Sequence, residues 1–219
     1  MVKRATLART LPFLAYIAFI FIADMLSRLG VGEASLRYLY PVKIGVVLLL
    51  LMFYWRDYDE LRVKIGWRLQ PLVWGVGLLV FVLWISLDAG WMLLGQSSGY
   101  DPHVDGQLHW PLVLIRLAGA ALVVPIMEEL FWRSFLMRWL VAEDFRSVAP
   151  DRLSLRSFVI TVILFGVEHN LWLAGMVAGL AYALLYWRTS NLWTSIIAHG
   201  VTNGVLGIWV IYTSSWTYW

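Results

Sequence analysis

One apolar run after another, joined by short loops, fills this chain from residue 11 to residue 212, and that succession restricts it to a bundle of helices inside a lipid bilayer. Of its 219 residues 61% are hydrophobic and 14% charged, and the mean hydropathy is +0.73. A soluble domain of this size is far less apolar. Because each crossing takes about 20 apolar residues, the chain has room for six to eight transmembrane helices in one domain. The expected fold class is therefore all-α, a polytopic membrane bundle over 1–219.

The runs lie at 11–26, 42–55, 72–94, 112–127 continuing towards 140, 155–167, 171–187 and 192–212. The first follows Lys3, Arg4 and Arg9, as a secretory signal would, but it contains Asp24 and lacks a small-residue cleavage site. It reads as a retained helix. Lys and Arg in the short loops set orientation. Arg56, Arg62, Lys64 and Arg68 mark one loop as cytoplasmic, and Arg133, Arg138, Arg146, Arg152 and Arg156 mark another. The stretch 96–110 holds Asp101, His103, Asp105 and His109 but no Lys or Arg, so it faces outward and carries no catalytic group. These counts predict a cytoplasmic N-terminus, with Ser98 reporting the outside and Ser147 the inside. The net charge of +3 and pI near 9.3 reflect these orienting loops and imply no nucleic-acid partner. Fourteen tryptophans suit interfacial belts. With no cysteine, disulfides, thiolate nucleophiles and Cys-type metal sites are excluded, so chemistry falls to Glu, His, Asp, Ser or Asn.

Three polar groups interrupt the apolar runs of the second half. The first is Pro125-Ile126-Met127-Glu128-Glu129-Leu130-Phe131-Trp132-Arg133. Adjacent carboxylates in an apolar stretch are costly to desolvate. Glu129 and Arg133 stand at i and i+4 and can pair along one face, which leaves Glu128 turned roughly 100° away. The plain alternative is a helix end neutralised by Arg133 and Arg138. The second group is Phe165-Gly166-Val167-Glu168-His169, with Phe165 and His169 on one face; a packing histidine bonded to a carbonyl would look the same. Glu168 and Asn170 read as caps of a chain break. The third is His199-Gly200-Val201-Thr202-Asn203, an imidazole and a carboxamide one turn apart, for which interhelical glue is the alternative. The spacings Gly175 to Gly179 and Gly200 to Gly204 read as close helix packing.

Depth links the three. Glu128 is ten residues from Arg138, His169 thirteen from Arg156 and His199 eleven from Arg188, offsets of roughly 15 to 20 Å at 1.5 Å per residue. All three can meet at one level. Since each count starts from an arginine-rich end, the shared cavity is expected to open towards the cytoplasmic side.

Glu-Glu-x-x-x-Arg, then Phe-x-x-x-His, then His-x-x-x-Asn, in this order on successive apolar segments, resembles the type II CAAX prenyl endopeptidase and bacteriocin-immunity family (CPBP, ABI) of intramembrane proteases. The resemblance covers 112–212, and it is similar within that family to the bacterial branch found with exosortase systems. It divides the chain into accessory helices at 1–110 and a catalytic core at 111–214. It further implies a bacterial inner-membrane protein that hydrolyses a peptide bond of a membrane-embedded or lipidated substrate. By resemblance Glu128 is the general base, His169 helps to hold the water, and His199 and Asn203 stabilise the oxyanion. Glu129, Arg133 and Phe165 would then support them. A carboxylate in an apolar setting is a more effective base near neutral pH than an exposed one.

No cofactor is required in this reading. The alternative is a catalytic zinc held by Glu128, His169 and His199 with a fourth position open to water, although the pattern His-Glu-x-x-His is absent. From another class come a non-catalytic immunity or scaffold protein using the same pocket, and a proton-coupled transporter, which would call for inverted repeats that the sequence does not display.

Overall fold

The computed structural model describes residues 3–95 and 99–219; Gln96, Ser97 and the labelling position Ser98 lie outside the described residues. Among the described residues seven helices exceed ten residues: α1 (Arg4–Arg28), α2 (Leu39–Phe53), α3 (Gln70–Ser86), α4 (Trp110–Trp139), α5 (Leu155–Val167), α6 (Trp172–Thr189) and α7 (Leu192–Thr213). The count falls inside the expected six to eight. Five of the apolar helical stretches are long enough to cross a membrane, and Leu14, Phe21, Leu49, Phe53, Leu79 and Leu122 project outward from them. Apolar side chains facing outward in such numbers fit lipid contact rather than water.

Several ends are written in the sequence. His109 Nδ1 accepts the Leu112 N–H and Pro111 follows at the start of α4. Ser154 Oγ accepts the Ser157 N–H at α5, and Asn191 Oδ1 accepts the Trp193 N–H at α7. The run expected at 72–94 is helical only to Ser86, after which the chain turns through Asp88 and Gly90. A short hairpin, β1 (His103–Val104) and β2 (Gln107–Leu108), lies between α3 and α4. Asp105 and Gly106 both take positive φ, 51° and 76°, as a two-residue hairpin turn requires.

Helix α7 is the hub and packs on α3, α4 and α6. Glycines set the approach. A Cβ on Gly77 would stand 2.6 Å from the Ala198 carbonyl oxygen, one on Gly200 2.8 Å from that of Ala121, and one on Gly175 3.1 Å from Gly166 Cα. The small-residue spacings are therefore packing surfaces. Helix α4 winds as a π-helix at Gly119–Val123 and Leu130–Leu136, with an α-helical turn, Val124–Glu129, between them. Such bulges recur at functional sites, and these two bracket the paired glutamates.

The arginine-rich face is closed. The loop 54–66 lies across it, with Arg9 of α1 2% exposed beneath. Arg9 Nη2 meets Glu60 Oε2 at 2.6 Å and Nε meets Oε1 at 2.8 Å. Ser134 Oγ of α4 donates a short hydrogen bond to Glu60, and Trp193 Nε1 ties the loop to α7 through the Leu61 carbonyl at 3.0 Å. Burial pushes the Glu60 carboxyl up, but the Arg9 fork and Ser134 outweigh it and hold the group below the usual carboxylate range. The depressed folded value means that its contribution is fully present above the unfolded pKa, about 4.3, and is lost as pH falls through the folded value. Glu60→Gln should cost about 3 to 5 kcal/mol, because it leaves Arg9 buried without its charge partner. Melts in detergent between pH 7 and pH 3 check this: the wild type should lose stability on acidification more steeply than the variant.

Candidate active site

Helix α4 presents Glu128 and Glu129 from its middle turn, where the sequence places both in apolar surroundings and the structure leaves them 4% and 0% exposed. One carboxylate has partners and the other has room. Glu129 Oε2 lies 3.1 Å from Arg133 Nε, an ion pair without hydrogen-bond alignment. Its Oε1 accepts from His199 Nδ1 at 3.0 Å. Arg133 also donates to the Gly179 carbonyl at 3.1 Å and lies 4.4 Å from the centre of the Phe165 ring. Glu128 Oε2 is buried with no hydrogen-bond partner.

Glu128, His169, His199 and Asn203 line one cavity of about 160 Å³. Four residues from α4, the end of α5 and α7 thus converge, as the depth counts anticipate. His169 Nδ1 donates to the Phe165 carbonyl at 2.7 Å, which fixes the tautomer and leaves Nε2 as an acceptor. Trp84 stands edge-on to its ring at 5.3 Å. His199 stacks on Tyr182 at 4.8 Å and 17°. Tyr182 in turn donates to Thr202 at 2.8 Å, and Thr202 to the Gly77 carbonyl at 2.8 Å. Asn203 Nδ2 gives one N–H to the Ala120 carbonyl at 2.9 Å, inside the first π segment, and keeps a second.

From Glu128 the cavity wall continues to Trp84, Arg116, Leu206, Tyr218 and Trp219, towards the face of the hairpin and the C-terminal residues. On the arginine-rich side, where the depth counts put the opening, Arg9, Glu60 and Ser134 are bonded together across up to 125 positions. The zinc alternative does not fit. Among the described residues no three His, Asp or Glu side chains converge to hold a metal ion.

Sequence reasoning passes over several neighbours. Tyr16 and Trp84, from the first hundred residues, complete the wall, and Tyr182 orients His199; an aromatic residue in an apolar run carries no signal of its own. Glu168 is not merely a cap. Its Oε2 is buried without a hydrogen-bond partner, as is that of Glu128. Asn170 caps nothing local and instead ties the turn after α5 to the 91–95 loop, donating to the Leu94 carbonyl at 2.6 Å. In the loop before α4 His103 holds Asp101 at 2.5 Å and His109 caps the helix.

In comparison with known proteins, residues 110–205 match the family model described as Type II CAAX prenyl endopeptidase Rce1-like. The matched segment contains the four cavity residues and the Glu129–Arg133 pair. No curated protein and no solved structure matches the chain.

Proposed function

From the premise that residues 110–205 belong to the Rce1-like type II CAAX prenyl endopeptidase family, we propose that this integral membrane protein is an intramembrane endopeptidase in which Glu128 activates water. The observation that carries the reading is the contrast between two adjacent carboxylates, Glu129 tied to Arg133 and His199, and Glu128 unpartnered at the wall of the cavity. A base needs a free lone pair within reach of the water it deprotonates.

The water oxygen attacks the scissile carbonyl carbon while Glu128 takes its proton. His169, with Nδ1–H given to Phe165, accepts a hydrogen bond from the same water at Nε2, and the proton taken up by Glu128 then passes through Nε2 to the departing nitrogen as the C–N bond breaks. The products are a new carboxylate and a new amine. Asn203 uses its second N–H on the oxyanion, and His199, held by Glu129 through Nδ1, lies beside it on the cavity wall. Donors of this kind contribute about 3 kcal/mol each. The substrate is a membrane-embedded or lipidated peptide, and Trp84, Leu206 and Trp219 supply an apolar approach.

Quenched fluorescent peptides with apolar C-terminal tails, incubated with purified protein in proteoliposomes, test the reading. Cleavage by the wild type and none by Glu128→Gln is expected; equal cleavage by both, or none by either across a broad peptide pool, removes it. The bilayer orientation belongs to the same proposal, with the N-terminus cytoplasmic and the cavity approached from outside. The natural chain has no cysteine, so single reporters are clean. Gln107→Cys should label from outside and Ser147→Cys only from inside; the reverse pattern overturns the orientation.

A further inference from the structure

Two basic side chains near the cavity have no acidic partner. Lys43 of α2 holds Nζ 3.9 Å from the centre of the Tyr16 ring and 5.1 Å from that of Tyr40. Arg116 of α4 lies 4.3 Å from the Tyr40 ring and 5.3 Å from that of Tyr100, and its Nε is buried without a hydrogen-bond partner. Among the described residues neither forms an ion pair with a carboxylate. Two basic side chains within membrane helices, set on the same Tyr40 ring and without an ion-pair partner, work against folding when charged unless something binds them.

Both residues line a second cavity of about 550 Å³, which shares Arg116 and Trp219 with the cavity of Glu128. Arg37, whose Nε is also buried and unpartnered, adds a third positive group to its wall. Of the acids there, Asp24 is taken by Arg28 at 2.8 Å and Asp101 by His103 at 2.5 Å, which leaves Glu33. Phe19, Ile20 and Leu36 make part of the same wall apolar. A guanidinium fork beside an ammonium suits a carboxylate, and the apolar patch suits the chain that bears it.

We propose that Lys43 and Arg116 form an anion-binding subsite that takes a carboxylate of the peptide bound in the adjoining cavity. The identity of the bearer rests on the peptidase reading; the anion site does not. The pair acts in binding and touches no reacting atom.

The test is thermal melting of the full chain in detergent at low salt with three probes: N-acetyl-leucyl-leucine, its C-terminal amide and inorganic phosphate. The acid should raise the melting temperature in a saturable way while the amide does not, and in Lys43→Met with Arg116→Gln its apparent affinity should fall at least tenfold. Lys43→Arg, which keeps the charge, should keep the shift. Lys43→Met alone should melt no lower than the wild type, since it removes an unpaired cation. Equal shifts from acid and amide, an undiminished shift in the double variant, or a Lys43→Met protein that melts well below the wild type would overturn the subsite. A shift with phosphate and none with the acid would assign it to lipid headgroups and overturn it as well. Melting needs no turnover, so a protein that binds the acid yet cleaves nothing loses the proposed function and keeps this site.

Discussion

Glu128→Gln should lower peptide hydrolysis by about 10²- to 10⁴-fold, the range ordinarily lost with a general base, while the protein melts at the same temperature or higher. The amide keeps the volume of the acid and much of its hydrogen bonding, so the four-residue cavity should keep its shape. It removes a carboxylate that is 4% exposed, has one oxygen without a partner and stands close enough to Glu168 and Glu129 to feel both charges. Relieving that repulsion stabilises, as often happens when a strained functional group is replaced. Turnover and melting temperature, measured on one preparation, check both halves. A variant that cleaves at the wild-type rate, or one that loses activity only because it unfolds, contradicts the assignment.

Glu129→Gln should fail in the opposite order. Its carboxylate is fully buried between Arg133 at 3.1 Å and His199 at 3.0 Å. Neutralising it strands the Arg133 guanidinium among Phe165, Tyr182 and the Gly179 carbonyl. Breaking a buried pair from one side costs about 3 to 5 kcal/mol, a fall in melting temperature on the order of 10 °C for a chain of this length. Activity should fall as well, because the His199 Nδ1–H then meets a neutral amide oxygen in place of a charged acceptor and is held less firmly. Arg133→Gln should show the same loss of stability. A Glu129→Gln protein that is fully stable and inactive, beside a Glu128→Gln protein that still cleaves, would exchange the two roles.

The site is the part most legible in the sequence, and the reason is physical. Glu128, Glu129, His169, His199 and Asn203 break apolar runs, and a polar group in that setting needs a purpose. Counting 1.5 Å per residue then placed them at one depth. The same cost argument, applied to residue 116 inside the run 112–127 and to residue 43 at the edge of the run 42–55, would have exposed Arg116 and Lys43. What the sequence could not convey is the bonding across the arginine-rich face. Loop charge orders the two faces but says nothing of how a loop packs, and the closure joins Arg9 to Glu60 and Ser134 across 51 and 125 positions. Tyr182 and Trp84 were unreadable for a different reason. An aromatic side chain among apolar neighbours becomes specific only when the fold sets it against a histidine.

The measurement that bears most directly on the central claim is mass spectrometry of peptide products formed in water enriched in oxygen-18, with the purified protein in proteoliposomes. Hydrolysis through water activated by Glu128 predicts a new C-terminus carrying one heavy oxygen, produced by the wild type and by Glu60→Asp but not by Glu128→Gln. Intact peptides in every sample would place the chain among non-catalytic proteins that use the pocket for binding, and heavy product formed equally by Glu128→Gln would mean that another group activates the water.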